Sequence, residues 1–131
     1  VFEAVVEVAN DKTFCTAAGR TIDLTTFLPF GASLKEATTV GDYISRFTQA
    51  VANDTSSISQ RLIVEDNWAY FGARRLFDPK TSPAQSDGFM VGIWISFLHR
   101  CLDFRWDPSQ IILQVSDPQV PSAPFMSLIT T

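Results

Sequence analysis

One histidine, two cysteines and 14 carboxylates are the groups in this 131-residue chain that could carry acid–base, nucleophilic or metal chemistry. His99 and Cys101 stand two positions apart on what reads as a helix. They therefore point in different directions and cannot serve each other as base and nucleophile. His99 reads instead as a helix-end residue, meeting the partial negative charge of the C-terminus. Asp103 and Asp107 lie on either side of Trp106, but nothing pairs them for proton transfer. A single His with Cys15 and Cys101, and no C-x-x-C, makes a poor zinc set. Gly88-x-x-x-Gly92 is a small-residue packing pattern, not a phosphate loop. The residue types therefore argue against an enzyme and imply no metal or cofactor.

Binding chemistry is better represented. The chain holds 11 Phe, three Trp and two Tyr. Trp68, Tyr70, Arg74, Trp94 and Phe97 are the candidate ligand-binding residues: aromatics around an apolar cavity, with Arg74 or Arg75 as polar anchor. The plainer alternative is that the aromatics fill a core. Arg74 and Arg75 are too few for a basic patch and point to opposite faces of a strand, where one salt bridge each would account for them.

Several elements would have to position these residues. Val1 to Val8 reads as the end of a helix broken at Asn10-Asp11. Phe14 to Ala18 is a short helix with Gly19 as its cap, and Asp23 can cap a further helix from Leu24, interrupted by Pro29 and Gly31. Thr39 with Asp42 is a capping-box variant opening a helix whose apolar face is Val40, Tyr43, Ile44, Phe47 and Val51. The period then falls from 3.6 to 2. Ile58, Gln60, Leu62 and Val64 fall on one face of a strand, Ser59, Arg61, Ile63 and Glu65 on the other. Asp66-Asn67 supplies a turn. A second strand runs from Trp68 to Phe77, with Trp68, Tyr70, Gly72 and Arg74 sharing a face. After a loop, Asp87 can cap a helix from Gly88 to Leu102 that is apolar almost all round and needs cover from a sheet, a partner chain or both. Trp106-Asp107-Pro108 begins an extended segment, and Ile111–Val115 reads as another strand. The expected fold is α+β: N-terminal helices, a hairpin, a long buried helix and a further strand, forming an antiparallel sheet with helices packed on it.

Length fits a single domain spanning 1–131. A hydrophobic share of 46% against 18% charged excludes disorder, and a net charge of -4 argues against a nucleic-acid surface. The longest apolar run, Gly88–Leu98, is too short to span a membrane. Two cysteines far apart fit buried free thiols in a reducing cytoplasm. Both ends fall against apolar sequence, which reads as truncation relative to a longer protein.

One stretch suggests a family. Thr38-Thr39-Val40-Gly41-Asp42-Tyr43-Ile44-Ser45-Arg46-Phe47 is followed by a hairpin ending in Leu76-Phe77-Asp78-Pro79, then the apolar helix, then Asp103-Phe104-Arg105-Trp106-Asp107-Pro108 leading toward Asp117-Pro118. This order resembles the N-terminal effector-binding (arabinose-binding-like) domain of AraC-type transcription regulators, and it covers nearly the whole chain. Asp117-Pro118 departs from the family's frequent His-Pro. The resemblance implies a cytoplasmic sensor and dimerisation module. It would respond to a small-molecule effector, form a homodimer, and touch DNA only through a helix-turn-helix part absent from these residues. A protein–protein interaction module without a small-molecule ligand is the alternative from another class.

Overall fold

The change of apolar period after Val51 is where helix gives way to hairpin. The structure, a computed structural model, describes residues 2–26, 35–54, 58–78, 80 and 82–112. Among them are four helices and one two-stranded antiparallel hairpin, an α+β set: α1 (Phe2–Ala9), α2 (Phe14–Arg20), α3 (Val40–Asp54), β1 (Ile58–Glu65), β2 (Trp68–Arg75) and α4 (Ala84–Leu102). Contacts divide the chain into two units, residues 25–79 and residues 1–24 with 80–131.

In the unit of residues 25–79, α3 starts as its sequence requires. Thr39 Oγ1 accepts the Asp42 N–H at 3.0 Å, and the Asp42 carboxylate reaches back to the Thr38 N–H at 3.4 Å. Two of the donors that a helix N-terminus leaves unpaired are thus satisfied. Asp42 also holds Arg46 one turn on, at 3.1 Å, and Arg46 approaches Glu36 at 3.6 Å. Tyr43, Ile44, Phe47 and Val51 are buried on one face, and α3 packs along β1.

The hairpin turns on Asp66 and Asn67, both left-handed at φ 51° and 65°. This is the primed two-residue turn, whose twist matches that of the strands. It fixes the register as Glu65 opposite Trp68, Ile63 opposite Tyr70, Arg61 opposite Gly72 and Ser59 opposite Arg74. Strand β2 ends at Arg75, two residues short of expectation; Leu76 and Phe77 bend away and are exposed.

In the other unit, Asn10 at φ 51° stops α1. The N–H groups of Asn10 and Asp11 bond the Glu7 and Val6 carbonyls at 3.3 and 3.4 Å, the double closure of a left-handed helix stop. Asp11 then starts α2 by accepting both the N–H and the hydroxyl of Thr13, at 2.9 and 2.7 Å. The expected stop at Gly19 is not there: α2 continues to Arg20, and Gly19 is buried against α4. A Cβ at Gly19 would strike the Phe89 carbonyl, and one at Gly92 would strike the Thr16 carbonyl. These glycines let the two helix backbones touch, so α2, with α1 beside it, covers the apolar α4. Every residue of α4 from Ala84 to Leu98 is buried or half-buried.

Other boundaries move for local reasons. Helix α4 begins at Ala84, ahead of the expected Asp87 cap. Pro83 ends the preceding loop with the φ a helix start needs, its carbonyl accepts the Asp87 N–H at 2.9 Å, and Ser82 Oγ takes the Ala84 N–H at 3.3 Å. After Asp23 the described chain makes only a 3-10 turn, Leu24–Thr26, and Asp23 faces Arg100 at 3.9 Å. The expected continuation past Thr26 lies outside the described residues.

Trp106 is extended, but Pro108–Gln110 form a 3-10 turn in place of a strand lead-in. The cause is Asp107, whose carboxylate takes the N–H and hydroxyl of Ser109 at 3.0 and 2.7 Å. Trp106 and Ile111 return onto Ile95 of α4, which Val91 also packs against. No strand beyond the hairpin is present among the described residues. Most of the one expected at Ile111–Val115 falls outside them. No helix among the described residues is long and apolar enough to cross a membrane.

Candidate functional site

Because the side chains of a strand alternate, the register sorts the hairpin into two faces. One carries Ile58, Gln60, Leu62, Val64, Ala69, Phe71, Ala73 and Arg75, with Gln60, Leu62 and Phe71 half-buried. The other carries Trp68, Tyr70 and Arg74 of the candidate set, joined by Ser59, Arg61, Ile63, Glu65 and Gly72. It is the more open face. Trp68 is 43% exposed and Tyr70 56%, both arginines are exposed, and only Ile63 is half-buried.

Trp94 and Phe97 stand elsewhere, on α4 in the other unit, 8% and 4% exposed. Their rings meet edge to face, with centroids 5.8 Å apart and planes at 89°. This is a favoured aromatic packing geometry, and both rings are part of the buried core.

The titratable groups near the end of α4 are engaged locally. His99 is exposed and lies against Trp106, centroids 4.9 Å apart. The Asp107 carboxyl is held below its ordinary value, first by the Ser109 hydroxyl and then by the Ser109 N–H. Such a carboxylate is a poor proton donor. Arg100 donates to the Ile22 and Ser96 carbonyls at 3.2 and 3.3 Å. Cys101 is exposed, against the expectation of two buried thiols, because the last turn of α4 leaves the cover that α2 provides; Cys15 is buried and donates to the Phe2 carbonyl at 3.8 Å. No cluster of His, Cys, Asp and Glu suited to a metal ion occurs among the described residues.

Two features escaped the sequence reading. The first is Arg61, which joins Arg74 on the open face only once a two-residue loop fixes the register. The second is a shallow apolar groove of about 370 Å³ lined by Ala4, Val5, Val8, Ala9 and Phe14. The spacing of Val5 and Val8 marked a helix face, but not that Val8 would remain 90% exposed.

No protein-family model matches the chain, and neither a curated protein nor a solved structure matches it significantly.

Proposed function

We propose that this chain is the effector-sensing and dimerisation domain of an AraC-type transcription regulator, cytoplasmic and not itself catalytic. Its DNA-reading helix-turn-helix part would lie outside these 131 residues. The observation that carries the reading is the order of the resembling segments together with where they fall. The threonine-led segment opens a capped helix, the hairpin follows it, and the Trp106-Asp107-Pro108 step follows the long apolar helix. Trp68, Tyr70 and Arg74 on an open face support a role in recognising a small molecule. Trp94 and Phe97, packed in core, support a structural part for those two.

An effector would act by binding one of two arrangements of the module more tightly, shifting the population toward it. Self-association would draw on exposed apolar surface. Between Ala84 and Leu98 helix α4 has no fully exposed residue, whereas Val5, Val8 and Phe14 are exposed, so the groove around them is the better candidate. Thermal-shift screening of the chain against a broad metabolite panel tests the sensor role, since a ligand that binds only the folded state must raise the Tm. Absence of any stabiliser, with a dimer seen by sizing, would transfer the assignment to a protein–protein interaction module.

A further inference from the structure

We propose that the open hairpin face is an oxyanion site. In it Arg61 and Arg74, set around Gly72, hold the carboxylate of a small aromatic acid whose ring lies along Tyr70 and Trp68. The proposal rests on the effector-sensing reading and narrows it to a chemical class.

The geometry follows from the register. Arg61 stands directly opposite Gly72, and Arg74 is two residues beyond Gly72 on the same face. The two arginines are therefore diagonal neighbours, with Cα atoms about 7–8 Å apart. Gly72 lies between Tyr70 and Arg74 on β2, and nothing stands within 4 Å of where its Cβ would be. The register thus leaves open space over the Gly72 backbone, between positions that carry Arg61 across the strands and Tyr70 and Arg74 along β2. Trp68 extends the aromatic side toward the turn.

Charge supplies the argument for the occupant. In a chain of net charge -4, two arginines occupy diagonal positions on one face, and among the described residues neither is in an ion pair. Arg46 and Arg100, by contrast, both have carboxylate partners. The one acid on the face, Glu65, is opposite Trp68 at the turn end. Adjacent like charges repel unless an anion lies between them. The planar fork of a guanidinium matches a carboxylate with two parallel hydrogen bonds. Two arginines on a two-stranded face are too few for a nucleic acid, whose binding gathers many phosphate contacts. They are enough for one small acid, and the exposed aromatic surface beside them fits a planar body.

The test titrates the chain with 2-naphthoate up to about 10 mM, following the Tm. Its neutral isostere 2-naphthamide and inorganic phosphate are the comparison probes. Naphthoate is expected to stabilise, naphthamide to have no effect, and phosphate to act more weakly because it leaves the rings uncovered. Each arginine replaced by glutamine should weaken naphthoate binding by about tenfold or more, and added salt should weaken it further. Gly72→Val fills that open space without straining a strand residue, so it should fold normally and lose the response. Equal effects of naphthoate and naphthamide, undiminished binding by the Arg61→Gln/Arg74→Gln variant, or no response to naphthoate would each overturn the proposal. A neutral metabolite that stabilises the parent and the double variant alike would overturn the anion site and leave the sensor role standing.

Discussion

Gly19 of α2 and Gly92 of α4 are apposed so closely that a Cβ on Gly92 would lie 3.1 Å from the Gly19 Cα and would strike the Thr16 carbonyl. The obstacle is backbone on both sides, so no side-chain rotation can relieve it. Gly92→Ala should force the helices apart and destabilise the chain by about 1–3 kcal/mol or more. Gly41→Ala is the control, because the nearest atom to its Cβ would be the Thr39 hydroxyl oxygen at 4.0 Å. Thermal denaturation should show a clear loss for Gly92→Ala and little for Gly41→Ala; equal Tm values would mean that the α2–α4 contact is looser than described.

The Thr39 cap makes a separate prediction. Its hydroxyl serves an N–H that has no other partner in the first turn of α3. Thr39→Ala should cost about 1 kcal/mol, and Thr39→Ser should restore most of it. Arg46→Ala removes a half-exposed pair with Asp42 and should cost only about 0.5 kcal/mol, falling with salt. Chemical denaturation of the three variants separates the contributions. A larger loss for Arg46→Ala than for Thr39→Ala would reverse this order.

How far the sequence carried the structure depended on whether each signal was local. The Thr39 cap and the Asp66-Asn67 turn were legible because a hydroxyl three residues from its N–H, or two residues tolerant of positive φ, specify geometry without help from elsewhere. Gly19 was misread for the opposite reason. A glycine after a short helix looks like a stop, and only the presence of Gly92 across the interface shows that it is a contact. Arg61 and Arg74 lie 13 positions apart and become neighbours only through the register. Trp94 and Phe97 carry no mark in sequence that separates a core aromatic from a ligand-binding one; packing against each other decides it.

The turn can be tested at Asn67, whose φ is 65°. Asn67→Gly places the residue best suited to that conformation and should leave stability unchanged or slightly raised, offset in part by greater freedom of the unfolded chain. Asn67→Val puts a β-branched side chain at positive φ and should cost about 1–2 kcal/mol. A valine variant as stable as the parent would show that the turn had rearranged.

Asp11 and Asp107 should titrate below the ordinary carboxylate value of 3.8. In both, the first cause is a hydroxyl donor, Thr13 for Asp11 and Ser109 for Asp107, and the second is the N–H of the same residue. A carboxylate with a depressed folded value adds stability above its unfolded value and loses it as the pH falls through the folded one. The contributions should therefore be complete above about pH 3.8, decline as the pH falls below it, and be gone once the folded-state carboxyls are protonated. Carboxyl-carbon NMR titration measures both midpoints directly. In Ser109→Ala and Thr13→Ala the midpoint of the paired aspartate should move upward; an unmoved midpoint would sever the hydroxyl from the shift.

The two thiols should behave differently despite sharing a direction of shift. Burial raises the Cys15 thiol above its ordinary 9.0, and the charge of Glu3 adds to the effect. Cys101 is raised by desolvation, which Arg100 opposes. Access separates them: Cys15 is 2% exposed, and Cys101 is open to solvent at the end of α4. A disulfide reagent should thus label Cys101 in the folded chain, slowly at neutral pH because little thiolate is present, and reach Cys15 only on unfolding. The Cys15 shift also predicts a pH dependence. An acid whose folded value lies above its unfolded one contributes stability that is complete below the unfolded value and lost as the pH rises through the folded value. Denaturation midpoints should accordingly stay level through neutral pH and fall above about pH 9, and Cys15→Ala should show less of that fall than the parent. Rapid labelling of Cys15 in the native chain, or an identical alkaline decline in Cys15→Ala, would place the thiol outside the α1–α2 interior.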